Sequence, residues 1–411
     1  MKVRIPRDRL VEGIGWAVRA LPARPVIPAL ASFRLTAADG TLTISAYDYE
    51  VSAGIEVSAE VGRPGEILVP GRLLADIARA LPRDHPVELS VDPARARLTC
   101  AGSYFALPLP ALADYPATPL LPETAGTVSA AGFAEAVAQV AIAAARDESL
   151  PVLTAIRLHL AHDALILAAT DRYRLAVRRL PWHPATEDPA RTALVPARVL
   201  ADLTKHPGAG EDFRLALGPE PGRRGLLGLA GGGRHATTRL LDHEFPRYDW
   251  LFDNETTAVA TIDAAALIEA VRRVSLVITR NAPVRLSFAR DSLRIEAGTT
   301  DQAEARATVP VTMTGEPTRV AFNPTHLLDG LAALRTPTAR LMFSAPTKPT
   351  VLTDDTHADE PERTNGSDDP NTPNTPVEPN KHAGSPNHDA DTPSASEPPD
   401  YRYLLMPMRG T

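Results

Sequence analysis

At 411 residues and 44% hydrophobic, the chain is long enough for two to four domains; its single cysteine, Cys100, excludes an intrachain disulfide framework and a cysteine-based zinc site. The net charge of −7 is unevenly spread: residues 353–400 hold 12 acidic and 2 basic side chains, which leaves the rest mildly basic, near +3. The opening Met1-Lys2-Val3-Arg4-Ile5-Pro6 has no apolar leader core, and no apolar run reaches the roughly 20 residues that span a bilayer, so a cytoplasmic protein without a membrane partner is expected.

In chain order, three segments repeat one plan. Each opens with an amphipathic helix, predicted over Pro6 to Leu21, Ser129 to Arg146 and Ile262 to Ile278. In the first, Leu10, Ile14, Ala17, Val18 and Leu21 share a face; in the third, Leu267, Ile268, Val271 and Val274 do. A strand pair follows around a polar turn: 30–35 and 42–46 around Asp39-Gly40, 155–160 and 165–169 around His162-Asp163, and 284–288 and 293–297 around Arg290-Asp291. After a further strand comes a second helix that starts at a proline, Pro70, Pro196 or Pro324, where the missing N–H costs nothing. Those prolines lie 126 and 128 residues apart. Such a period is too long for a solenoid, so each unit is expected to be an α+β domain: 1–123, 124–253 and 254–411.

The exception is 353–400, rich in Pro, Asn, Asp, Thr and Ser and nearly free of aromatic residues. It reads as a disordered acidic insert in a hairpin of the third domain. Strand residues resume at Tyr401.

Ala169-Thr170-Asp171-Arg172-Tyr173-Arg174-Leu175-Ala176, Phe245-Pro246-Arg247-Tyr248 and Tyr403-Leu404-Leu405-Met406-Pro407-Met408-Arg409, with Arg24-Pro25 and Pro28-Ala29-Leu30, carry a resemblance. With these motifs in this order the chain resembles the β subunit of bacterial DNA polymerase III, the β sliding clamp, over its whole length except the insert. The resemblance implies three repeated clamp domains per chain. Two chains would join head to tail in a six-domain homodimeric ring, with helices lining a hole and antiparallel sheets outside.

It also implies a processivity factor with no catalytic residues, no cofactor and no metal. Its partners would be encircled double-stranded DNA, the polymerase III α subunit, the clamp loader and other proteins carrying a clamp-binding motif. Basic side chains on or beside the helices (Arg7, Arg9, Arg19, Arg24, Arg72, Arg79, Arg83, Arg146, Arg198, Lys205, Arg272 and Arg273) would attract phosphates without base readout. Among them Arg24, Arg72, Arg146 and Arg198 are the expected DNA contacts.

The partner-peptide pocket, carried over residue by residue, would be lined by Leu153, Thr170, Arg172, Tyr173, Arg174, Leu175, Pro246, Leu251, Asn323, His326, Leu404, Leu405, Met406, Pro407 and Met408. Methionine suits a surface that must accept several partners. The subunit contact would set the edge around Tyr104, Phe105 and Leu107 against Ser275, Leu276 and nearby acidic residues.

The chain departs from the family pattern at Asp249-Trp250, where basic residues are common, at Arg172, where a small residue is common, and at Asn281 and Thr347, where apolar ones often stand. These departures support an alternative, a paralogous clamp with an altered pocket that tolerates inhibitors or acts as a decoy. A nucleic-acid-modifying hydrolase finds no support: carboxylates do not cluster, the histidines make no metal-binding spacing, and Ala230-Gly231-Gly232-Gly233 lacks a nucleotide loop's strand-to-helix setting and reads as a strand turn.

Overall fold

Tight turns set the strand pairs. Between strands Ser32–Ala38 and Thr41–Tyr47, Asp39 and Gly40 both take positive φ, 47° and 76°. That is the backbone a two-residue hairpin needs to match right-twisted strands. Gly232 and Gly233 do the same between Leu226–Gly231 and Arg234–Arg239, so the glycine run is the expected strand turn.

The computed structural model describes residues 1–187, 190–205, 212–218, 225–279, 282–298, 303–345, 347–355 and 400–408. Six helices occupy the expected places: α1 Arg7–Ala17, α2 Gly71–Ala80, α3 Ala130–Ala141, α4 Ala197–Thr204, α5 Ala264–Val274 and α6 Pro324–Ala332. The first helix of each unit is shorter than its apolar periodicity. The chain continues as tight 3-10 turns at Val18–Ala20 and Ser275–Val277, which consume the last free carbonyls and leave Val18 and Leu276 exposed.

The strands form four antiparallel sheets, two of which run across domain boundaries. Strand Arg234–Arg239 of the second domain pairs with Val51–Ser58 of the first, and Tyr401–Leu405 of the third pairs with Arg174–Leu180 of the second. These are the same two strands of the repeat in both joints. The remaining pair, Ser103–Pro108 in the first domain and Glu304–Pro310 in the third, lies at the outer edges of a five-stranded and a four-stranded sheet.

Helix contacts lock each joint. At the first, Arg19 stacks 4.7 Å from the Trp16 ring and donates to the carbonyls of Asp202, Leu203 and Lys205, which end α4. At the second, Gln139 Nε2 donates to Ala333 O at the end of α6 (2.8 Å). Such donors satisfy orphan carbonyls of a helix C-terminus.

The insert is narrower than its composition suggests. Thr353 and Asp354 are buried strand residues, and Asp354 Oδ1 accepts from the backbone N–H groups of Arg335 (2.6 Å) and Thr336 (3.2 Å). Residues 356–399 lie outside the described residues. Thr350 pairs with Leu405 and Thr353 with Arg402, so the insert leaves the hairpin at the end away from Met406.

Candidate partner pocket and DNA-facing residues

The Thr170–Arg174 turn is built by short side-chain bonds. Thr170 Oγ1 donates to Arg174 O (2.7 Å) and accepts from Arg172 N–H (3.1 Å), while Asp171 Oδ1 accepts from the N–H groups of Tyr173 and Arg174. Arg172 sits at φ 79°, a backbone that favours glycine, which explains why a small residue suits this position. The first domain repeats the turn, with Asp48 bonding the N–H groups of Glu50 and Val51 and with Tyr49 at φ 75°. What changes is the residue that follows: Val51 in the first domain, Arg174 in the second.

Arg174 is buried and spans the boundary between the second and third domains. Its Nε donates to Asp171 Oδ2 (2.9 Å), and its Nη1 donates to Asp329 Oδ2 (2.6 Å) and to the Tyr403 hydroxyl (3.3 Å). Burial alone would lower its pKa, but Tyr403, Asp329 and Asp171 outweigh that and raise it, so the guanidinium stays charged. Tyr403 in turn donates to His326 O (2.9 Å), and burial raises its own pKa, keeping it a neutral donor. Its ring can lie against α6 only because residue 330 is glycine, where a Cβ would come within 2.4 Å of it.

Sequence reasoning missed Asp329, although a signal existed. Its repeat equivalents Asp76 and Asp202 each bond a cation three residues on, Arg79 and Lys205, both at 2.6 Å. Asp329 has Ala332 at that place, and its carboxylate reaches across the domain boundary instead.

The other expected pocket residues divide by depth. Leu153, Leu175, Leu404 and Leu405 are buried; Leu175 and Leu404 are strand partners under Tyr248, Leu251 and Phe252. They form floor, not rim. Tyr173 is 65% exposed, its ring 6.3 Å from that of His326, while Arg172, Pro246 and Met406 are exposed as well. Asn323 caps α6 by accepting from the N–H groups of Thr325 and His326, a helix-cap role.

Residues 406–408 are stitched across the boundary: Met406 N–H donates to Tyr173 O (2.9 Å) and Met408 N–H to Ala321 O (2.8 Å). Pro407, Met408 and Thr347 line one end of a trough of about 1280 Å3, and Leu251 lines a separate cleft of about 140 Å3. Asn281 lies outside the described residues. The Asp249-Trp250 segment is held by two arginines the sequence did not single out: Arg157 bonds the Tyr248 hydroxyl (3.3 Å), and Arg402 lies 4.1 Å over the Phe252 ring.

His326 has its pKa lowered, by burial first and then by Arg174, against the pull of Asp171 and Asp329; Tyr403 and the Tyr173 ring also face it. A histidine held neutral when folded takes up its proton more readily when unfolded. Stability is therefore full above the ordinary value of 6.5 and declines as pH falls from there toward the lowered value. Melting curves from about pH 7.5 to about pH 5 should show a smaller decline in His326→Gln than in the unchanged protein. Parallel curves would remove His326 as a source of the pH dependence.

The twelve expected phosphate-attracting cations separate in the structure. Arg7, Arg9, Arg79, Lys205, Arg272 and Arg273 are engaged by carboxylates of their own or adjacent turns, and Arg19 is consumed in the first domain joint. Arg24, Arg72, Arg83, Arg146 and Arg198 are exposed, and none has an ion pair among the described residues. Of the expected subunit contacts, Leu276 is 86% exposed and Phe105 half-buried, whereas Leu107 is buried in the first domain's own core. The Ser275 hydroxyl is buried without a hydrogen-bond partner among the described residues. Glu304–Pro310 ends one side of the third domain's four-stranded sheet, with the Ser275–Val277 turn beside it.

Three family models match in order: the N-terminal, central and C-terminal domains of the DNA polymerase III beta subunit, over residues 1–119, 127–247 and 250–362. The chain belongs to the DNA polymerase III β-subunit family. This is the sliding-clamp family, a non-catalytic processivity factor of DNA replication. The chain is 49% identical to the beta sliding clamp of Streptomyces coelicolor, over all of this chain and 99% of that one. It is 41% identical to the beta sliding clamp homolog GriR of Streptomyces muensis, over 84% and 91%. The crystal structure of the Pseudomonas aeruginosa β subunit matches the fold with a TM-score of 0.82 at 22% identity, covering both chains fully; another structure of that clamp is bound to griselimycin. No helix among the described residues is long and apolar enough to cross a membrane.

Proposed function

We propose that two copies of this chain close head to tail into a ring around duplex DNA. In this reading Arg24, Arg72, Arg146 and Arg198 face the phosphates, and polymerase, loader and other partners dock by a peptide at the boundary of the second and third domains. The observation that carries the ring is the strand pairing. The same two strands of the repeat join the domains twice within the chain, and the third such pair is left open at opposite ends. A second copy supplies each open edge with its complement, and two identical head-to-tail contacts close the assembly. The cytoplasm is the compartment this work requires.

A topological test follows. Loaded by its cognate clamp loader, the protein should remain on nicked circular DNA through gel filtration in high salt and leave once the circle is cut. A variant with the four arginines changed to alanine should load less well yet remain on the circle once loaded, because topology and not Coulomb attraction then holds it. Equal retention on linear and circular DNA would refute encirclement. A paralogue with an altered pocket is the second reading, favoured by Trp250, which stands 62% exposed beside the pocket after Asp249.

A further inference from the structure

The outer face of the third domain's four-stranded sheet carries charge that the ring does not use. Strand register places Arg319, Ser287 and Arg294 in one row, since Ser287 pairs with Arg319 on one side and with Arg294 on the other. With neighbouring strands about 4.8 Å apart, the two arginine backbones stand about 10 Å from each other with a hydroxyl between them. Both arginines are exposed, and neither has an ion pair among the described residues.

The next row holds Arg285, whose Nη2 donates to Gly298 O (2.8 Å), and Glu296, already paired with Arg306 at 3.1 Å. The floor between is low, made of serine and alanine, and the trough over it has a volume of about 1280 Å3. Its end is formed by Pro407 and Met408, with Met408 bonded to Ala321, two residues along the strand from Arg319.

Resting on the pocket reading above, we propose that this strip receives an acidic flank of the partner peptides whose apolar end enters the pocket. Two observations select that occupant. The strip is continuous with Pro407 and Met408, so its ligand has an apolar side chain adjoining an anionic one, a combination that duplex DNA, with its base faces stacked inside, does not present. Also, α5 packs on the opposite face of this sheet, so the arginines point away from the helix layer that faces DNA in the ring. An extended chain advances about 3.4 Å per residue, so carboxylates two to four residues beyond the apolar anchor reach the arginines. There they form charge-assisted, two-pronged bonds.

The test uses the full chain and fluorescence anisotropy with a labelled peptide of the Gln-Leu-x-Leu-Phe type. The peptide is taken alone, with a neutral Gly-Ser extension, and with a triple-glutamate extension at either end. Exposed pairs are individually weak, so the acidic extension at one end should tighten binding roughly three- to tenfold at low salt and lose that advantage at high salt. Arg294→Ala with Arg319→Ala should abolish the gain while the bare peptide binds as before, and Met406→Ala should weaken every peptide. Equal binding of acidic and neutral extensions, or a gain that survives the arginine changes, overturns the strip and leaves the pocket standing. Failure of the bare peptide to bind overturns the pocket reading itself and the strip with it. If a DNA oligonucleotide binds with the same dependence on Arg294 and Arg319, and acidic extensions give no gain, the strip is a nucleic-acid surface.

Discussion

Arg174→Met should destabilise the junction of the second and third domains by about 3 kcal/mol, because removing one member of a buried ion pair leaves the rest uncompensated. Methionine keeps the volume and apolar stem of the arginine. What it abandons is Asp171, Asp329 and the Tyr403 hydroxyl, all of which the guanidinium contacts. The Asp329 side chain is 33% exposed, so water screens it in part and the low end of the usual 3–5 kcal/mol range applies.

Urea unfolding followed by the melting of this junction reads the effect. Asp329→Asn should cost less, since it removes a charge and not the hub. The double variant should fall short of the sum of the two, because both changes break the same contact. A full-sized loss in Arg174→Met with strict additivity would mean that Arg174 acts through packing alone. The variant should also bind pocket peptides less well, because Tyr173 and Leu175 flank the residue that ties the turn to α6.

The contrast between Arg174 and Asp329 shows where sequence reading stops. The six-element order of each domain was legible because it rests on local signals: prolines before α2 and α4 and within the first turn of α6, Asp39-Gly40 at a hairpin, and apolar residues at helical spacing. The Thr170–Arg174 turn was legible as a motif, and its repetition at Asp48–Val51 explains its geometry. The domain joints were not legible, since an edge strand carries no local mark of which distant strand completes it. Asp329 could have been found by asking why its i+3 partner is alanine when those of Asp76 and Asp202 are cations. Thr353 and Asp354 were assigned to the insert on composition, but their burial and the bonds from Asp354 to Arg335 and Thr336 are tertiary facts. For the same reason the burial of Leu175, Leu404 and Leu405 was not legible from their neighbours in sequence.

Leu276→Asp should break the proposed dimer into monomers. Leu276 lies thirteen residues beyond Asp263, the residue that starts α5; Arg19 and Ile142 lie thirteen beyond Pro6 and Ser129, which start α1 and α3. Both of those face the end of the next domain's second helix: Arg19 caps α4, and Ile142 lies in the cleft beside Ala332 and Ala333. Among the described residues no second helix of a following domain meets the third domain at this place, and there the equivalent leucine is 86% exposed. Placed by the repeat, it is expected to meet the end of α2 in the proposed second copy.

An unpaired carboxylate in that contact costs about 3 kcal/mol, and a closed ring contains the contact twice. The combined penalty of about 6 kcal/mol weakens dimerisation on the order of ten-thousand-fold. Sedimentation should therefore report the 43.9 kDa chain alone in Leu276→Asp and twice that mass in the unchanged protein. Each domain should keep its own melting transition, since Leu276 supports no core. A variant that stays dimeric would show that the open strand edges close the ring without the helix contact, and the threefold argument would then hold for the sheets alone.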